Sequence, residues 1–163
     1  MIEARPIEPN SIQTLQKLSR TIDDLLEKAE AVRSLLFKGV PLERLSELTG
    51  HSISYLNQLV RLDESTSLTI LLAKNAWISA RVLVFFRSFN SAIKTEMLIL
   101  RYLWMTHKSD LNDNPPLSTS QLSLITVDDR RIVGSQRDTL MAYLLKKQPE
   151  RFLDYLDELF SDR

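Results

Sequence analysis

The residue types able to do chemistry are sparse in this chain, and they favour recognition over catalysis. Its two histidines, His51 and His107, have no metal-ligand spacing, and its three glycines, Gly39, Gly50 and Gly134, are too scattered for a phosphate-cradling loop. The carboxylate pairs Asp23-Asp24, Asp63-Glu64 and Asp128-Asp129 are adjacent in sequence. On a helix such neighbours diverge, so they read as solvated charge rather than as an acid/base pair. There is no cysteine, which removes disulfides and thiolate metal sites and is consistent with a reducing compartment. No enzyme, cofactor or metal is expected. Residues 52–61 are richer: Ser52, Ile53, Ser54, Tyr55, Asn57, Gln58 and Arg61 crowd into one short stretch. Asn and Gln amides can make paired hydrogen bonds to adenine, Ser can reach base edges or phosphate, and Ile or Tyr can pack on a thymine methyl.

Two short helices and a turn would have to position that stretch. Leu42, Leu45 and Leu48 recur every three residues as one apolar stripe, leaving Glu43, Arg44 and Glu47 to water. Small Ser46, four residues before Gly50, suits a close approach of two helices. Gly50 can adopt a positive φ cheaply and so end the first helix, and Ser52 suits the N-cap of the second. Leu56, Leu59 and Val60 then face inward. The pattern predicts a helix-turn-helix spanning residues 41–62.

The run from Gly50 through Ser52, Ser54, Tyr55, Asn57 and Gln58 to Leu62 resembles the recognition-helix segment of ParB/KorB-type partition proteins. In that family a Gly-Lys-Ser-x-Ser opening leads into a helix ending Leu-Arg-Leu. The likeness extends upstream to residues 27–35 and downstream to Asn75-Ala76-Trp77-Ile78-Ser79-Ala80, covering residues 25–90. It implies a sequence-specific protein of double-stranded DNA, acting in plasmid or chromosome partition or in transcription on a bacterial mobile element. The family's nucleotide-binding domain has an arginine-rich Gly-Glu-Arg-Arg patch, and nothing of that kind occurs in residues 1–24. CTP binding is therefore not carried over. His51 stands where the family has a lysine.

Formal charge sums to zero, yet it is unevenly spread. Residues 1–32 hold four basic and six acidic side chains, residues 33–108 ten and five, and residues 109–163 seven and ten. The motif lies in the basic segment, and an acidic tail beyond the Debye length of about 8 Å leaves local phosphate binding intact. Lys38, Arg44, His51, Arg61, Lys74 and Arg81 are the candidate phosphate contacts; for each, a plain solvated face is the alternative.

A chain of 163 residues with 44% hydrophobic and 26% charged side chains is long enough to bury a real core. The first twenty residues lack the apolar core of a secretory signal, and Arg81, Arg87, Lys94, Glu96 and Arg101 interrupt the longest apolar stretch too often for a membrane span. A cytoplasmic, nucleoid-associated protein is expected. Periodicity predicts an all-α fold: a helix-turn-helix core with supporting helices and a C-terminal helical module. A helix capped at Asn10 or Ser11 is expected to run through Ile12, Leu15, Leu18, Ile22 and on to Val32. Pro41 is expected in the first turn of the next helix. After the motif come a helix from Leu68 to Lys74 with Asn75 as a left-handed stop, one opened by Ser79, and one over residues 92–106 after a joint at Ser88 to Ser91. Asp110-Leu111-Asn112-Asp113-Asn114-Pro115-Pro116 is the strongest break. The expected division is thus 1–109, the DNA-binding domain, and 117–163, the helical module. In that module Ser118 or Thr119 opens a short helix, residues 127–133 are ambiguous between strand and helix, Ser135 caps a helix, and Pro149 begins the last one.

A single such motif reads about half a site, so a homodimer is expected, through residues 82–105 or 135–161. The competing expectation is a helix-turn-helix-fold adaptor or inhibitor that binds a protein and no DNA. Its docking face would be residues 77–105 or the C-terminal module.

Overall fold

The structure, a computed structural model, describes residues 9–17, 21–108, 118–126 and 132–161. The fold is all-α, with ten helices and no strand among those residues. The chain forms two compact units, Met1–Glu64 and Ser65–Arg163. The boundary expected at residues 110–116 lies outside the described residues. The C-terminal helices share a compact unit with residues 65–108, so the observed division falls directly after the motif.

The first unit contains α1 (Pro9–Gln16), α2 (Ile22–Phe37), α3 (Leu42–Thr49) and α4 (Ile53–Asp63). The single helix expected from Ile12 to Val32 is instead two. Thr21 takes an extended conformation, φ −130° and ψ 165°, and its hydroxyl accepts the Asp24 N–H at 3.1 Å while the Asp24 carboxylate accepts the Thr21 N–H. This reciprocal cap gives the backbone a helix start inside a run whose apolar spacing alone read as continuous. Helix α2 packs along α4, burying Leu25, Ala29 and Val32 with Leu56, Leu59 and Leu62. Each leucine so enclosed contributes about 2 kcal/mol. Lys28 is buried in the same helix, and desolvation holds its ammonium below the usual lysine range despite Asp24 nearby. Arg33 pairs with Glu64 at the far end of α4; both are half exposed, so the pair adds less than about 1 kcal/mol.

The second unit contains α5 (Ser67–Lys74), α6 (Ala80–Phe89), α7 (Ala92–Lys108), α8 (Thr119–Ser123), α9 (Gly134–Leu145) and α10 (Pro149–Phe160). Helix α7 is central: Thr95 through Leu100 are all buried, and α5, α6 and α10 pack on it. Helix α9 closes the unit against α5 and α10. Trp104 stacks on Phe160 and donates its indole N–H to Asp157 at 2.9 Å, while Trp77 meets Phe152 with ring centroids 4.8 Å apart.

Helix boundaries follow the caps. Ser79 and Ser118 accept N–H groups from Val82 and Gln121 as expected, the joint after Phe89 is present, and Pro149 opens α10. Four expected boundaries shift, the first in α1, which begins at Pro9, ahead of the cap expected at Asn10 or Ser11. Pro41 is the N-cap of α3, extended at ψ 156°, because the proline ring suits that conformation as well as the first turn. Asn75 stays right-handed at φ −96°, and the left-handed residue is Ala76 at φ 62°. The Asn75 amide instead donates to the Leu71 carbonyl at 2.8 Å, closing the helix by a side-chain bond. Helix α9 begins at Gly134 rather than after Ser135, with the Gln136 side chain accepting the Val133 N–H at 2.8 Å. Of the ambiguous segment, residues 127–131 lie outside the described residues.

Candidate functional site

Helix α3, the turn at Gly50 and helix α4 lie together in the first unit, and the turn is held by hydrogen bonds from three hydroxyls. Gly50 sits at φ 79°, a left-handed stop that any L side chain would strain, and its N–H returns to the Ser46 carbonyl. A methyl group built on Gly50 meets nothing within 4 Å, so backbone conformation rather than helix proximity demands glycine there. Ser46 donates to the His51 carbonyl at 2.7 Å. Thr49 donates to the Leu45 carbonyl at 2.7 Å and accepts the His51 N–H at 3.2 Å. Ser52 then caps α4, its hydroxyl accepting the Tyr55 N–H at 3.1 Å. Leu45 is sealed, Leu42 is half-buried and Leu48 is 38% exposed, so the expected stripe on α3 is only partly covered.

The candidate base-reading residues occupy the first half of α4. Ser52, Ile53, Ser54 and Asn57 are exposed, Ile53 at 41%; Tyr55 and Gln58 are half-buried. Tyr55 lies against the His51 ring at 4.8 Å between centroids. The first-turn N–H groups of Ile53 and Ser54 have no intrahelical carbonyl to meet, as at any helix start. Arg61 is exposed two turns on, Lys38 is exposed at the end of α2, and Arg44 is exposed on α3 between Glu43 and Glu47.

His51 differs in kind from the other candidate phosphate contacts. Its Nε2 lies 2.6 Å from the Leu15 carbonyl, so the ring ties the turn to α1 as an N–H donor. That nitrogen is committed to the fold. Lys74 and Arg81 are exposed but belong to the second unit, at the last turn of α5 and the first turn of α6. The structure therefore brings Lys38, Arg44 and Arg61 into the same unit as the motif.

Charge looks different once the units are known. Residues 1–64 carry eight basic and ten acidic side chains, a net of −2, against +2 for residues 65–163 with thirteen and eleven. The whole basic excess counted over residues 33–108 thus belongs to the second unit, since residues 33–64 hold four basic and four acidic side chains. Sequence patterns also missed the Ser46 and Thr49 bonds. The usable signal was two short hydroxyl side chains within a turn of the helix-ending glycine, where such groups compete for backbone partners.

Among the described residues no three His, Asp or Glu side chains gather as a metal site, and no helix is long and apolar enough to cross a membrane. No protein-family model, curated protein or solved structure matches the chain.

Proposed function

We propose that this chain is a sequence-specific double-stranded DNA-binding protein, with α4 entering the major groove. The supporting observation is an exposed first half of α4, bearing Ser52, Ile53, Ser54 and Asn57, on a turn hydrogen-bonded by Ser46, Thr49 and Ser52. Preorganisation matters because side chains held by a rigid turn lose little entropy on binding. In this arrangement Asn57 and Gln58 read base edges, and Ile53 and Tyr55 contact thymine methyls. Lys38, Arg44 and Arg61 hold phosphates, aided by the partial positive charge of the helix start. The chain acts as a homodimer reading two half-sites, in partition or transcription control in the ParB/KorB manner, at the bacterial nucleoid.

Selection from random duplexes followed by anisotropy titration at about 50 and 200 mM salt tests this directly. The expected result is an enriched site whose affinity falls steeply with salt. Asn57→Ala is expected to relax discrimination at one base pair by about 1–3 kcal/mol, and Arg44→Ala to lower the salt slope by about one unit. A flat selection, or an Asn57→Ala protein with unaltered sequence preference, would reject the reading.

The net charge of −2 on the unit carrying the motif favours a second reading, a protein-binding adaptor of the same fold. Its partner would present a basic face to Glu43 and Glu47. Binding to such a partner that is lost in Glu43→Lys, with no salt-dependent DNA binding, would establish the adaptor instead.

A further inference from the structure

The second unit contains a cavity of about 630 Å³, within the usual range for small-ligand sites. One wall is an aromatic row on α6, where Phe85 meets Phe86 and Phe89 edge-on at 5.6 and 5.9 Å between centroids. Leu98 of α7 and Leu122 and Ile125 at α8 complete the apolar lining. Asn90, Ser123 and Thr126 contribute polar groups, and among the described residues no carboxylate lines the space. Among the described residues the single charged lining residue is Lys94.

Lys94 is exposed and makes no ion pair among the described residues. It lies in the first turn of α7, where its backbone N–H donates to Ser91, so the helix's partial positive charge adds to that of the ammonium. Glu96, two positions on, is fully buried and committed to Arg137 rather than to Lys94. Phe89, 77% exposed at the rim, is a large apolar surface left to water.

We propose that this cavity binds an amphipathic organic monoanion, an alkyl or aryl body ending in one carboxylate. The body lies along Phe85, Phe89 and Leu98, and the carboxylate meets Lys94. A small inorganic anion would leave the apolar walls wet. A neutral hydrocarbon would leave the cation unused.

Calorimetric titration of the full chain with decanoate, and with decanol as the uncharged control, tests the assignment. One saturable decanoate site per chain is expected, with decanol about tenfold weaker or more. Lys94→Glu, at an exposed position, is expected to abolish that preference while leaving decanol binding unchanged. Ser123→Trp, also exposed, is expected to fill the mouth and weaken both ligands by about tenfold or more, with circular dichroism reporting an intact fold. Absence of saturable binding overturns the proposal, as does decanoate preference that survives Lys94→Glu. Self-association that Ser123→Trp abolishes, without decanoate binding, assigns the surface to a second copy of the chain and equally overturns it.

Discussion

Arg137 of α9 and Glu96 of α7 meet side by side: Nε donates to one carboxylate oxygen at 2.8 Å and a terminal nitrogen donates to the other at 2.7 Å. Glu96 is fully buried, Arg137 is about a quarter exposed, and the Thr66 hydroxyl that caps α5 donates to Glu96 at 2.8 Å. One carboxylate thereby joins three helices that lie far apart in sequence. The Glu96 hydrogen bond raises the Arg137 guanidinium above its already high range.

Removing one member of such a pair strands the other. Arg137→Ala is expected to destabilise the second unit by about 2–3 kcal/mol, below the range for a sealed pair because the arginine is partly wet. Replacing both residues, Glu96→Leu with Arg137→Leu, is expected to cost less than Arg137→Ala alone. Urea titrations of the three variants measure this. Equal or larger loss in the double variant would show that the pair itself, rather than the stranded carboxylate, sets the cost.

His51 is expected to matter for folding more than for phosphate. His51→Ala removes the bond to the Leu15 carbonyl and the contact with Tyr55, costing the first unit about 1–2 kcal/mol. The salt slope of any DNA binding should be unchanged, unlike that of Lys38→Ala or Arg44→Ala. A reduced slope in His51→Ala would place the ring on a phosphate after all.

The turn has two separable contributions. Gly50→Ala should cost about 1 kcal/mol through left-handed strain alone, since the added methyl meets no neighbour. Ser52→Ala should cost a similar amount, about 1 kcal/mol, through the lost cap. Gly50→Asn should recover part of the first loss, because asparagine tolerates this conformation better. Thermal melts of the three proteins check the order, and an asparagine variant less stable than the alanine variant would contradict the strain argument.

Asp63 makes the first unit sensitive to pH. Burial lifts its carboxyl above the ordinary 3.8; Arg33 opposes the shift, and Glu30 and Glu64 reinforce it. The folded chain therefore holds this proton more tightly than the unfolded chain. The resulting stabilisation is complete below 3.8 and is lost as pH rises through the folded value. Asp63→Asn should be more stable than the parent at about pH 7, the difference closing at about pH 3. Paired denaturant titrations at the two pH values decide it; a gap that widened in acid would reverse the sign.

Local chemistry was legible in the chain itself. The all-α class followed from three- and four-residue apolar spacing with few helix breakers, and Gly50, Ser52, Ser79, Ser118 and Pro149 stand at the helix ends their side chains suit. These are effects within one turn of backbone, which neighbouring residues fully specify. The break at Thr21 was local too, but its Asp24 partner was taken for solvated charge.

Tertiary structure alone decided the rest. It divided the chain after Glu64, turned His51 toward Leu15, and set Glu96 against Arg137, forty-one positions away. It also placed the whole basic excess of residues 33–108 outside the unit that carries the motif. Periodicity tells which face of a helix is apolar, but not which other helix will cover it. That choice depends on shape and polar pairing between segments distant in sequence, and so appears only once the chain is packed.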